Sequence, residues 1–119
     1  MKKILIVDDD EGVLGALEML LSDEGYKVKS AMSESQAFKE VYEFKPDMII
    51  LDVLLSGNDG RTICKKLKND PATLDIPIVM ASAHPTAERE IKKYKADDFL
   101  AKPFGLQELN EKLSKYLKN

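Results

Sequence analysis

The sequence predicts an α/β fold, a doubly wound parallel five-stranded sheet of (βα)5 form with helices on both faces. Three observations carry this. "ILIV" (4–7), "MIIL" (48–51) and "IVMA" (78–81) are continuous apolar tetrads, the pattern of strands covered on both faces. The stretches between them carry helical rather than alternating periodicity. Strand and helix signals alternate along the whole chain, which implies a parallel sheet joined by right-handed crossovers.

Taken in order, the first strand is "ILIV", followed by a helix on which Val13, Leu14, Leu17, Leu20 and Leu21 fall at three- and four-residue steps. "YKVKSA" (26–31) alternates instead and puts Lys27 and Lys29 on one side, which suits a sheet edge where charge discourages pairing with another chain. Helices are expected at about 34–44, 60–69 and 86–94, from the turn residues that flank them. A fifth strand is expected at 97–101, "DDFLA", and a last helix on Leu106, Leu109, Leu113 and Leu117. No internal repeat, low-complexity tract or linker interrupts this order, so residues 1–119 read as a single domain.

The 119 residues suffice for one core, and the 44% hydrophobic and 33% charged composition is that of a folded globular chain. A net charge of −3 argues against a protein that coats nucleic-acid phosphates, and no direct nucleic-acid binding is expected. No apolar run approaches the roughly 20 residues that span a bilayer, so no membrane association is expected. The opening "MKKILIVDDD" places aspartates where a cleavable signal would carry small residues, so it reads as mature protein. One cysteine, Cys64, leaves no internal disulfide and suits a reducing compartment. The expected location is cytoplasmic.

Ligands of open α/β sheets bind outside the carboxyl ends of the strands. Those ends carry Asp8, Asp9 and Asp10, then Asp52, then Ser82, then Lys102 followed by Pro103. Two carboxylates about 5 Å apart repel by roughly 3 kcal/mol at an effective dielectric near 20. Such a cluster raises a pKa or recruits a cation. Oxygen-only donors favour a hard ion such as Mg²⁺, which keeps several waters and combines one or two carboxylates with phosphate oxygens. Lys102 and Ser82 would then complement a phosphoryl group, and Asp52 is the candidate nucleophile. The acids' own repulsion is expected to be cancelled by Mg²⁺ and not by protein.

"ILIVDDD", "MIILDVLLSGNDG", "IVMASA" and "DDFLAKPF", in this order, resemble the receiver domain of two-component response regulators, including its chemotaxis members, over essentially the full length. The resemblance implies a flavodoxin-like sheet of strand order 2-1-3-4-5. It implies Asp52 as phosphoacceptor, and Asp9, Asp52 and the backbone carbonyl of Leu54 as Mg²⁺ ligands, with Asp8 acting through water. Ser82 matches the hydroxyl switch, Lys102 the phosphoryl contact, Phe99 the aromatic that follows the hydroxyl, and Pro103 a residue after a cis peptide. The implied donor is a histidine kinase or histidine phosphotransfer protein. The output is an unidentified partner or fused effector reached through the helix 4–strand 5–helix 5 surface, with a phosphorylation-dependent homodimer as one form. No DNA-binding or catalytic domain follows Asn119, so a stand-alone or an excised receiver is expected, and not a conventional enzyme. The chemistry is limited to self-phosphorylation and auto-dephosphorylation at Asp52. Ser56 stands where many members have proline and Lys95 where glycine is common, while Leu54 and His84 hold positions that tune phosphoryl lifetime.

Other readings compete. A haloacid-dehalogenase-like phosphatase would use Asp8 as nucleophile and Asp10 as acid/base, leaving Asp52 idle. A degenerate receiver acting only as a binding scaffold would lack an acid or the lysine, and none is missing. A flavin module would want glycine and hydroxyl donors where three aspartates stand. Among single residues, Asp10 and Asp59 suit helix caps. His84 suits a surface loop, Cys64 a small core position, and "KKYK" (92–95) a solvated helix end.

Overall fold

The computed structural model describes residues 1–55, 58–84 and 86–117; Ser56, whose departure from the family pattern was noted above, lies outside them. Five parallel strands form one sheet: β1 (Lys3–Val7), β2 (Lys27–Ala31), β3 (Met48–Asp52), β4 (Ile78–Ser82) and β5 (Asp98–Ala101). Their order across the sheet is 2-1-3-4-5, so the sheet reverses direction of growth between β1 and β3. The helices are α1 (Glu11–Asp23), α2 (Glu34–Phe44), α3 (Gly60–Lys68), α4 (Ala87–Glu90) and α5 (Leu106–Tyr116).

The continuous apolar tetrads arise because both faces of the sheet are covered. Ile4 and Ile6 of β1 point to a core completed by Leu14, Leu17 and Leu21 of α1 and by Leu109 and Leu113 of α5. Leu5 and Val7, one residue out of phase, point to the opposite core with Val41 of α2 and Ile63, Cys64 and Leu67 of α3. β2 lies at the edge, and Lys27 and Lys29 are its exposed residues, as the alternation predicts. Leu20 and Leu106, at the margins of their stripes, remain 41% and 42% exposed.

One expected element differs. The helix expected over 86–94 is α-helical only through Glu90 and continues as a 3₁₀ turn, Ile91–Tyr94. Thr86 precedes it without a side-chain cap bond, because its hydroxyl pairs with His84 Nδ1 at 2.8 Å. Its early N–H groups are met by backbone instead, that of Ala87 by the His84 carbonyl and that of Arg89 by the Thr86 carbonyl, both at 3.2 Å. The turn ends at Lys95 in the left-handed region (φ 63°), a conformation that glycine, the residue the resemblance implies there, would adopt without strain. By contrast α1 and α3 are well capped. Asp10 Oδ1 accepts the N–H of Gly12 and Val13 at 2.9 and 3.3 Å, and Asp59 Oδ1 accepts that of Arg61 at 2.9 Å.

Candidate functional site

Register brings the acids together. Val7 of β1 pairs with Leu51 of β3, so the next residues, Asp8 and Asp52, stand side by side at adjacent strand ends. Asp52 in turn pairs with Ala81 of β4, and Ser82 with Ala101 of β5, which puts Lys102 beside them at the same rim. The Lys102 N–H donates to the Ser82 carbonyl at 2.9 Å, and the Lys102–Pro103 peptide bond is cis. One carboxylate oxygen from each of Asp8, Asp9 and Asp52 lies within 4.8 Å of the other two.

A glycine fixes the loop beside this cluster. A Cβ built on Gly60 would lie 1.9 Å from the Asp52 carbonyl oxygen, and the Gly60 N–H donates to Val53 O at 2.8 Å. The start of α3 therefore crosses the end of β3 at a distance only glycine permits. Gly60, the last residue of "GNDG", is thus a packing requirement of the site.

The structure corrects one expectation. Part of the acids' repulsion is offset by protein, because Lys102 Nζ donates to Asp8 Oδ2 at 2.8 Å and lies 3.4 Å from Asp52 Oδ1. Asp8 also accepts the Asp10 N–H through Oδ1 at 3.0 Å. The Lys102 ammonium thus serves Asp8 and Asp52 at once, on the rim where Asp9 also stands. Burial together with the Asp8 charge raises the Asp52 pKa above the ordinary carboxylate value, against the lowering effect of Lys102 and of the Leu54 N–H. Burial opposes the charge on Lys102, yet its bonds to Asp8 and Asp52 outweigh this and raise its pKa, so it stays an ammonium.

The remaining candidates fall into two groups. Ser82 is buried at the rim, and its Oγ accepts the His84 N–H at 3.0 Å. Leu54 is exposed, with its N–H on the Asp52 carboxylate. Phe99 is not among the acids. It pairs with Met80 across the sheet and is buried in the core on the α3 side. Cys64 is also core, its thiol donating to Tyr94 O at 3.4 Å, and burial pushes its pKa up to about 12. His84 is exposed. Asp10 spends its carboxylate on the α1 cap, which leaves the haloacid-dehalogenase reading without its acid/base.

One residue of this region was not anticipated. Arg61 grips Asp59 through Nε at 3.0 and 3.1 Å and through Nη2 at 2.8 Å, and reaches Glu90 of α4 through Nη1 at 3.2 Å. The Asp-x-Arg spacing hints at the first contact; nothing in sequence hints at the second, 29 residues away.

Comparison with known proteins agrees with this geometry. A family model, the response regulator receiver domain, matches residues 4–114. The phosphate regulon transcriptional regulatory protein PhoB of Pseudomonas aeruginosa is 36% identical over 119 residues, covering 98% of this chain and 52% of its own length. The response regulator PleD of Caulobacter vibrioides is 42% identical over 103 residues, covering 85% of this chain and 23% of its own. This chain therefore spans about half the length of one curated relative and about a quarter of the other. The crystal structure of the Vibrio cholerae chemotaxis protein CheY4 superposes with a TM-score of 0.90 at 28% identity, over 98% of each chain. With the family model covering nearly all of the sequence and the strand order and acidic rim in place, the chain belongs to the response regulator receiver domain family.

Proposed function

We propose that this chain is a phosphorylation switch in which Asp52 accepts a phosphoryl group from a phosphohistidine on a histidine kinase or histidine phosphotransfer protein. The observation that carries this is the rim itself: Asp52 on the central strand, with Lys102 and two further carboxylates gathered on it from neighbouring strand ends.

The donor set fits Mg²⁺. It consists of carboxylate oxygens, two of them on buried residues, without histidine or thiolate. Asp9, Asp52 and the Leu54 carbonyl would hold the ion and Asp8 would place it through water. When bound, Mg²⁺ neutralises charge on the phosphoryl oxygens and brings them to the acids. A carboxylate oxygen of Asp52 attacks phosphorus, the P–N bond to the donor imidazole breaks, and the imidazole leaves with a proton. Lys102, already between Asp8 and Asp52, moves its ammonium to a phosphoryl oxygen, and Ser82 donates its hydroxyl to another. Attack of water on phosphorus returns the Asp52 carboxylate and releases inorganic phosphate.

Ser82, Phe99 and the face formed by α4, β5 and α5 relay the change to an output partner, a fused effector or a second copy of this chain. PhoB is by name a transcriptional regulator, and any such output here belongs to a partner or fused segment, because the net charge of −3 does not suit the receiver to nucleic acid. No helix among the described residues is long and apolar enough to cross a membrane. We assign the chain, residues 1–119, as one receiver unit working in the cytoplasm.

Incubation with Mg²⁺ and a small phosphodonor such as acetyl phosphate tests this directly. Intact-mass measurement should show one phosphoryl group on the wild type and none on Asp52→Asn. Stable uptake by Asp52→Asn, or none by the wild type, overturns the assignment.

A further inference from the structure

We propose that Arg61 is a positioning residue that sets the switching equilibrium, by clamping α4 in the conformation that accompanies the Asp52 carboxylate. This rests on the phosphorylation reading above and concerns a contact that reading does not use.

α4 and the turn after it are held unequally at their two ends. A short hydrogen-bonded path runs into them from Ser82: the His84 N–H donates to Ser82 Oγ at 3.0 Å, and His84 Nδ1 accepts the Thr86 N–H at 3.2 Å. Thr86 is the residue that leads into α4, so a change in the Ser82 hydroxyl's partner is passed to the helix start. That start has no side-chain cap, α4 is only four residues long, and a 3₁₀ turn follows it. Beneath it lies a cavity of about 310 Å³ bordered by Val53, Met80, His84, Ala87, Glu90 and Arg61. The far end is better held, since Tyr94 receives the Cys64 thiol on its carbonyl. The cavity runs on past Glu90 to Ile91 and Tyr94, so α4 has room beneath its whole length while its hold is at Tyr94.

Arg61 bears on the last residue of α4, between the uncapped start and Tyr94. Two of its nitrogens are committed to Asp59, which itself caps α3, so the guanidinium is fixed to the α3 start and to the loop leaving Asp52. A third nitrogen holds Glu90 at 3.2 Å, and the guanidinium carbon stands 5.7 Å from the centre of the Tyr94 ring. The Tyr94 contact sits at the held end and survives movement of α4. The Glu90 contact sits on α4 itself and is released by it. A contact made in one of two conformations favours that conformation by its own free energy. In this structure Asp52 is a carboxylate engaged by Lys102 and the Leu54 N–H, so the Arg61–Glu90 pair favours the carboxylate form.

The test is the affinity for beryllofluoride, a phosphoryl mimic, with Mg²⁺ present, followed by amide NMR on the wild type and on Glu90→Gln, Glu90→Lys and Arg61→Met. Releasing the pair should tighten binding about two- to fivefold, the size available to a partly exposed ion pair. Glu90→Lys, which sets two cations against each other, should give more than Glu90→Gln. Thermal midpoints are measured alongside. A residue with a merely structural role would lower the midpoint while leaving beryllofluoride affinity unchanged or weaker; tightening is the sign that only the clamp gives. A wild type that binds beryllofluoride with the variants unchanged or weaker overturns the clamp alone. A wild type that takes none overturns the clamp together with the reading it rests on.

Discussion

At the carboxyl ends of the strands, Asp8, Asp9 and Asp52 crowd within 4.8 Å of one another beside the Lys102 ammonium, whereas at the amino end of β5 a single carboxylate, Asp98, is held by two lysines and a tyrosine. Lys112 Nζ reaches Asp98 at 2.8 Å, Lys115 Nζ at 3.1 Å and the Tyr116 hydroxyl at 2.9 Å, and the Phe99 N–H adds a fourth bond at 2.8 Å. The neighbouring Asp97 is satisfied in the same way, by Lys68 at 2.6 Å and by the Ile78 N–H at 2.8 Å. Burial acts to raise the pKa at both Asp52 and Asp98, but the outcomes are opposite. Asp52 ends above the ordinary carboxylate value, while the donors around Asp98 hold it well below. Acidic clusters alone therefore do not mark a site in this fold. The direction of the shift separates them: Asp52, which burial keeps above its ordinary value, is the acid whose charge a cation or a phosphoryl group can change.

Mg²⁺ should separate the two ends most sharply, after the loss of phosphorylation expected for Asp52→Asn. An ion bound to the folded state at a hundredfold excess over its Kd stabilises it by about 2.7 kcal/mol. The wild type should show a gain of that order in urea unfolding when Mg²⁺ is added. Asp9→Asn should lose most of it. An equal Mg²⁺ gain in Asp9→Asn would remove the distinction between the two ends.

Asp98→Asn should cost about 1–2 kcal/mol of stability, the worth of a partly buried carboxylate bonded to charged donors, and leave the Mg²⁺ gain intact. The pH dependence has a definite sign. A carboxylate whose folded pKa lies below its unfolded value of about 3.9 contributes stability that is fully present above that value. It is lost as pH falls toward the folded pKa. The advantage of the wild type over Asp98→Asn should therefore be constant at neutral pH and shrink in acid. Asp52 acts the other way, since a raised folded pKa means that its ionisation opposes folding.

The smallest effect is expected at Asp10. If its carboxylate serves the α1 cap and not the ion, Asp10→Ala should cost about 1 kcal/mol in urea unfolding while the Mg²⁺ gain stays at the wild-type size. Loss of the Mg²⁺ gain would instead move Asp10 into the acidic rim.

Much of this could be read from the chain. Each apolar tetrad is a strand buried on both faces, so the acid, hydroxyl and lysine just beyond it had to stand at the sheet's carboxyl edge. Asp10 and Asp59 could be recognised as caps from their place before apolar periodic runs. Three features were not legible. The bond from Lys102 to Asp8 joins residues 94 positions apart, and it exists because β5 lies beside β4 in register, which no local pattern specifies. The change to a 3₁₀ turn after Glu90, inside the helix expected over 86–94, is marked by no proline or glycine in that stretch. The Arg61–Glu90 pair depends on how closely α3 and α4 pack.

What the sequence determines by itself is the set of chemical groups and the edge at which they gather, because strand periodicity and the turn to a helix are local properties. What only the tertiary structure decides is which of those charges are matched. Coulomb energy and desolvation depend on distances between elements far apart in the chain, and those distances give Asp98 two lysines of its own while Asp52 shares Lys102 with Asp8 in a cluster of three acids.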